Sequence, residues 1–155
     1  MEREKRRQIL SWLAFASILA MICVLSFQSG AATKSLDRSF VSYVAGEEEG
    51  GAYTAATRRM IYLVRQTGRA ALFLGLGASL GCAVCLTFER IKRWKRLAGS
   101  AAVLAAICYL TEKAKIFIEG RHYAFEECVG SFVFSMLGYL LAAWLLWLML
   151  RRERR

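Results

Sequence analysis

Residues 129–150 read VGSFVFSMLGYLLAAWLLWLML, a run of 22 residues without Asp, Glu, Lys, Arg or His. Because an α-helix rises about 1.5 Å per residue, such a run is long enough to cross the roughly 30 Å hydrocarbon core of a bilayer. Residues 9–27 and 70–88 form two further runs of 19 residues that lack the same residue types. These three runs predict membrane-spanning helices.

The remaining span is less obvious from the sequence. Residues 97–110 are apolar for only 14 residues, but the apolar run resumes at residues 116–118 after one polar turn. We interpret residues 97–117 as a span with Glu112 and Lys115 at its outer end. The predicted fold is an all-α integral membrane protein, a four-transmembrane-helix bundle formed as a single domain by residues 1–155.

The first span has a competing interpretation as a secretory signal peptide. A basic start and the small residues at 29–31 fit such a signal. However, its 19 apolar residues exceed the usual 7–15 of a signal peptide's apolar region. The length therefore favours a transmembrane helix.

The composition agrees with a membrane protein and excludes several other classes. Hydrophobic residues make up 57% of the 155-residue chain, although it carries 22 Lys and Arg against 12 Asp and Glu, a net charge of +10. A soluble domain would typically be about 45–50% apolar. A soluble enzyme domain, a disordered chain and a disulfide-stapled secreted miniprotein are therefore excluded.

The basic residues predict the orientation, because cytoplasmic loops of membrane proteins are enriched in Lys and Arg. Of the 22 such residues, 13 lie before the first span, between the second and third, or after the fourth. We therefore predict a cell-membrane protein with both termini in the cytoplasm. The same distribution accounts for most of the positive charge, so no nucleic-acid partner is implied.

The long outer segment, residues 28–69, contains an acidic, glycine-rich turn at residues 46–51. From Tyr53 to about Arg65, apolar residues recur every three or four positions, which predicts a short amphipathic helix in the outer interface. The alternative is a solvent-facing helix packed on the bundle.

Glycines and cysteines in the spans admit more than one interpretation. Gly77 and Gly81 form a G-x-x-x-G pair, which permits close helix packing either within the chain or between two chains. Cys82 and Cys85 are spaced C-x-x-C, but they lie in an apolar helix far from His122, the single histidine. We interpret them as packing residues and predict neither a metal nor a cofactor.

Charged residues converge at the outer end of the third and fourth spans. Ionisable groups at membrane depth normally pair, face the bundle interior or mark a functional path. Glu112 and Lys115 share a helix face and are predicted to pair, while Arg121 could bridge Glu112 and Glu127 from the loop. These charged residues form either a site for an anionic or zwitterionic ligand or a network of salt bridges with a structural role. The candidate binding residues are Gln28, Arg65, Arg69, Glu112, Lys115, Arg121 and Glu127.

The same hairpin carries a family resemblance. Residues 111–121 read TEKAKIFIEGR, and Glu127, Ser131 and Gly138 follow. This stretch resembles the hallmark of VanZ-like membrane proteins, in which an acidic pair is followed by Gln, a Pro-Gly-Arg turn, an Asp six residues after the Arg, an Asn four further on, and two glycines. The direct matches are Glu112, Gly120, Arg121 and Gly138, and Glu127 stands where the family has Asp.

Upstream, residues 25–30 (LSFQSG), together with Ser35, resemble the segment that ends the family's first helix, and Arg65 with residues 76–77 echoes its second block. The chain also departs from the pattern. In the hairpin, the differing residues are Thr111 for the first acid, Lys115 for Gln, Glu119 for Pro and Ser131 for Asn. In the second block they are Arg69 for His, Leu72 for Glu and Phe73 for Tyr.

The resemblance implies a role in bacterial envelope function or glycopeptide-antibiotic tolerance. The departures Arg69 and Leu72 remove a possible acid–base pair, while the added cations Arg69 and Lys115 favour binding of phosphate or carboxylate. We therefore expect a non-catalytic protein that binds membrane lipids, an anionic headgroup or an envelope precursor, or docks an envelope protein. A membrane-embedded enzyme is an alternative that would need a nucleophile or metal. A small transporter or holin-like pore is a third, although no polar stripe follows any span.

Overall fold

Four long α-helices follow one another in the computed structural model, which describes residues 2–27, 55–117 and 124–153. They are α1 (Glu2–Phe27), α2 (Ala55–Thr87), α3 (Arg93–Ala114) and α4 (Phe125–Glu153), and a 3-10 turn (Lys115–Phe117) extends α3. The described residues include no β-strand. The all-helical class predicted from the sequence is confirmed.

Each helix contains a stretch that is long and apolar enough to cross a membrane. These stretches are Glu4–Ser26, Tyr62–Thr87, Arg93–Phe117 and Phe125–Met149. In an apolar solvent, a helix satisfies its backbone N–H and C=O groups internally, which favours helices for apolar runs of this length. The four helices suggest a multi-pass membrane protein.

The sequence predicts a short interfacial helix at residues 53–65, of which residues 53 and 54 lie outside the described residues. Residues 55–65 are instead the first turns of α2, which continues without a break to Thr87. The chain has no proline, and the single Gly68 in this region costs about 1 kcal/mol relative to alanine, which does not end a long helix. In the part of the chain that the structure describes, Met60, Tyr62 and Leu63 are exposed, so this stretch extends past the packed core.

The closest packing in the bundle joins α2 to α4. A methyl group on Gly77 would overlap the backbone carbonyl of Ser135, and one on Gly138 would overlap that of Leu74. At Gly81, a Cβ would lie 2.9 Å from the carbonyl oxygen of Tyr139. The G-x-x-x-G pair therefore serves helix packing within this chain, which is one of the two alternatives that the sequence left open.

A small apolar core lies beside this crossing. It consists of Ile22, Phe73, Leu76, Leu80, Val84, Leu104, Cys108 and Tyr139. Most other large apolar side chains of the spans point outward, as Leu140, Leu141 and Trp144 do. An apolar exterior of this kind suits contact with lipid, which is as apolar as the core itself.

Side chains of α1 secure the C-terminal end of α2. The last carbonyls of a helix have no partner within it. Gln8 Nε2 donates to the Leu86 carbonyl at 2.8 Å, and Trp12 Nε1 donates to Thr87 Oγ1 at 3.1 Å. The start of α1 and the α2–α3 turn therefore lie at the same end of the bundle.

Candidate functional site

Four charged side chains meet at the opposite end of the bundle. Arg69 comes from α2, Glu112 from the last turn of α3, Lys115 from the 3-10 turn and Glu127 from the first turn of α4. We call these four residues the charge cluster. It joins three helices of a largely apolar bundle.

The four groups form a ring in which each cation contacts both carboxylates. Arg69 Nη2 lies 2.5 Å from Glu112 Oε2, and Arg69 Nη1 pairs with Glu127 Oε2. Lys115 Nζ lies 2.6 Å from Glu112 Oε1 and 3.0 Å from Glu127 Oε2. Two positive and two negative charges leave the charge cluster formally neutral.

The two carboxylates differ sharply in burial. The Glu112 side chain is only 1% exposed, and each of its oxygens contacts a cation. The Glu127 side chain is 44% exposed, and a single oxygen receives both cations. Because a buried charge is tolerated only when it is paired and hydrogen-bonded, Glu112 depends on Arg69 and Lys115. Glu127 lies at the rim of the cluster.

Ser131 orients the arginine. Arg69 Nε donates to Ser131 Oγ at 3.0 Å, and Ser131 Oγ in turn donates to the Glu127 carbonyl oxygen at 2.8 Å. Arg69 Nη2 also reaches the Glu127 carbonyl at 3.3 Å, and the guanidinium lies 5.8 Å from the centre of the Phe73 ring. Both edges of the guanidinium are therefore engaged, which holds it in one orientation.

A shallow groove between α2 and α4 opens beside the charge cluster. It is open to the outside and has room for about one water molecule. Its walls are Gln66, Arg69, Ala70, Glu127, Gly130, Ser131 and Phe134. Parts of the Arg69 and Glu127 side chains are accessible from this groove.

The structure brings together four of the seven candidate residues, namely the members of the charge cluster. The predicted pair between Glu112 and Lys115 is confirmed. Arg65 is exposed one turn before Arg69, and the four ion pairs of the cluster do not include it. Gln28 and Arg121 lie outside the described residues. Among the described residues, Arg69 and Lys115 bridge Glu112 and Glu127. The bridge by Arg121 stays a prediction.

Sequence reasoning missed Ser131 as a site residue and did not rank Arg69 above Arg65. A signal for Ser131 was present, because residues 127, 131 and 135 are four apart and share one helix face. Ser135 continues this polar line by donating to the Ser131 carbonyl at 2.8 Å. No signal in the sequence ranked Arg69 above Arg65, since the partners of Arg69 lie 43 and 58 residues away.

The cysteines form no second site in the described structure. All five are free thiols, and Cys82 and Cys85 are partly buried in α2. Within residues 2–27, 55–117 and 124–153, no group of three or more His, Cys, Asp or Glu side chains is placed to hold a metal ion. The charge cluster is therefore the feature on which a function can be argued.

Fold and site together define an all-helical protein with four helices suited to span a membrane and a neutral charge cluster at one end. Comparison of the chain with protein-family models, curated proteins and solved structures gave no match. The resemblance to VanZ-like proteins therefore stays a prediction from the residues.

Proposed function

We propose that this chain is a bacterial cell-membrane protein whose charge cluster binds an anionic headgroup of a lipid or of a lipid-linked envelope precursor. The observation that carries the proposal is the pairing of Arg69 and Lys115 around two carboxylates at one end of an apolar bundle. Ionisable groups in such a setting are expensive to maintain and commonly mark a binding site. A guanidinium and an ammonium side by side suit a phosphate or carboxylate.

The resemblance to VanZ-like proteins supports an envelope role. Positions from two separate blocks of that pattern converge in the charge cluster, with Arg69 from the second block and Glu112 and Glu127 from the hairpin. Ser131, which stands where the family has Asn, bonds to Arg69. Positions of the VanZ-like pattern that are far apart in the sequence are thus in contact in the charge cluster.

The proposed orientation places the charge cluster at the outer side of the membrane. The start of α1 and the α2–α3 turn are at the other end and carry Arg6, Arg7, Arg90, Arg93 and Lys95. Positive residues favour the cytoplasmic side. A headgroup in the outer leaflet or an exported precursor would then reach the groove beside Arg69 and Glu127.

Reporter fusions test this orientation. Green fluorescent protein fused after residue 155 is expected to fluoresce, since it folds in the cytoplasm, and alkaline phosphatase at that position is expected to be inactive. Phosphatase inserted within residues 28–54 is expected to be active, because this segment would lie outside. Active phosphatase after residue 155 contradicts the proposed orientation.

Lipid binding is tested by thermal unfolding of the purified protein in neutral detergent. We expect phosphatidylglycerol to stabilise the wild-type protein by about 2.7 kcal/mol at 100 times its dissociation constant. Lys115→Gln is expected to lose most of this stabilisation, because it removes one of the two cations proposed to bind the headgroup. Lys115 Nζ lies 3.0 Å from Glu127 Oε2 and 2.6 Å from Glu112 Oε1 at the proposed site.

Lys113→Gln provides the matched control for Lys115→Gln. Lys113 is an exposed lysine two positions away on the same segment, and removing it changes the net charge by the same amount. This variant is expected to retain the lipid response. Equal losses in the two variants would show that the response reflects overall charge, and they would reject the charge cluster as the site.

A further inference from the structure

The two carboxylates of the charge cluster differ in how easily each can leave it. Glu112 is 1% exposed and uses both oxygens, whereas Glu127 is 44% exposed and presents one oxygen to both cations. Rotation of the Glu127 side chain can carry its carboxylate into water. The same movement by Glu112 would leave a charge buried without partners, which is strongly unfavourable. Glu127 is therefore the exchangeable member.

The oxygen of Glu127 marks a position where an anion is already recognised. Arg69 Nη1 pairs with this oxygen, and Lys115 Nζ lies 3.0 Å from it. Without the Glu127 carboxylate, the remaining side chains of the cluster are Arg69, Lys115 and Glu112, with a net charge of +1. A phosphate oxygen placed at the same point would restore the charge balance and both charged hydrogen bonds.

The arginine would keep its position during such an exchange. Arg69 remains bonded to Glu112 through Nη2 and to Ser131 through Nε at 3.0 Å, and neither contact involves the Glu127 carboxylate. Only the Nη1 contact to the Glu127 side chain is released. A cation whose orientation is held by other contacts binds an incoming anion with less loss of side-chain entropy.

We propose that Glu127 occupies the anion site as an internal stand-in and that a phosphate-bearing headgroup displaces it from Arg69 and Lys115. This proposal rests on the proposed function, because it describes how the same site takes its ligand. The headgroup approaches from the open side of the groove, where Arg69 and Glu127 are accessible and a Cβ on Gly130 would meet nothing within 4 Å. The displaced carboxylate moves outward from the rim of the bundle.

Removing the charge of Glu127 is therefore expected to tighten binding. If the Glu127 carboxylate is away from the two cations in about one wild-type molecule in ten, the apparent dissociation constant for the lipid is about tenfold higher than that of a site without this carboxylate. Glu127→Gln should thus bind phosphatidylglycerol about tenfold more tightly than the wild type. Glu127→Asp keeps the charge on a shorter side chain, and its affinity is expected to lie between the two.

The measurement is a titration of the full-length purified protein in neutral detergent with phosphatidylglycerol, followed by calorimetry or native mass spectrometry. Glu126→Gln is the matched control, because Glu126 is an exposed neighbour in the same helical turn and lies outside the four ion pairs. It changes the net charge equally and is expected to bind as the wild type does. Phosphatidylcholine and inorganic phosphate are titrated in parallel to separate a lipid headgroup from free phosphate.

Tighter binding by Glu127→Gln with unchanged binding by Glu126→Gln supports the displacement. If the wild type binds the lipid and Glu127→Gln binds it with equal or lower affinity, the displacement is overturned but the proposed function stays in place. Absence of binding to any probe in every variant overturns both. If Glu127→Gln does not fold, an affinity of Glu127→Asp equal to or below that of the wild type overturns the displacement.

Discussion

Replacing Gly77 by alanine is expected to lower the free energy of unfolding by about 3 kcal/mol or more. Overpacking a closely packed region typically costs about 1–3 kcal/mol. Here the added methyl group would overlap the backbone carbonyl of Ser135, and a backbone atom cannot rotate away as a side chain can. The helices α2 and α4 would have to separate along their shared face, which also carries Arg69 and Ser131.

The matched control for this change is Gly99→Ala on α3. Gly99 is also helical, but a Cβ at this position would meet nothing within 4 Å. Alanine is favoured over glycine in a helix by about 1 kcal/mol, so this variant is expected to be as stable as the wild type or slightly more stable. Unfolding in detergent, followed by circular dichroism, measures both variants. Similar stabilities for Gly77→Ala and Gly99→Ala would contradict the close approach of α2 and α4.

Replacing Arg69 by methionine is expected to destabilise the protein by about 3–5 kcal/mol. Removing one partner of a buried ion pair has effects of this size, because the remaining charge stays buried without full compensation. Arg69 supplies one of the two cations that contact Glu112, whose side chain is 1% exposed. Lys115 alone would then face two carboxylates.

A second substitution distinguishes this electrostatic effect from simple loss of packing. In the double variant Arg69→Met with Glu112→Gln, the buried negative charge is removed and Lys115 can pair with Glu127. We expect it to regain about 2 kcal/mol relative to Arg69→Met. The control Arg65→Met removes an exposed arginine one turn away and should change stability by less than about 1 kcal/mol. No recovery in the double variant would show that Glu112 does not need its cations.

Local features of the sequence were sufficient to predict the long helices and one ion pair of the site. The apolar runs predicted the long helices, and the spacing of three residues between Glu112 and Lys115 predicted their contact. The predicted boundary between an interfacial helix and the second span was wrong, because periodicity alone does not show where one helix stops. Amphipathic and fully apolar turns can follow each other in a single α-helix when no residue breaks it.

The contacts of Arg69 could be identified only from the tertiary structure. Arg65 and Arg69 have the same side chain and lie on the same face of one helix, but only Arg69 contacts the cluster carboxylates in the four ion pairs described above. Gly77 and Gly138 lie where α2 and α4 approach closely, and Arg69 is one helical turn nearer to Gly77 than Arg65 is. Helix register is a property of two packed surfaces and cannot be obtained from either segment alone.

By itself the sequence determined the all-helical class, the four apolar helices and the charged end of the third and fourth helices. These features depend on composition and on spacings of three or four residues, which act within a single helix. Only the tertiary structure decided that Arg69 is the central cation, that Ser131 orients it, and that Glu112 is buried while Glu127 is exposed. Burial and ion pairing depend on which helix faces meet, and α2 and α4 approach each other closely at Gly77 and Gly138.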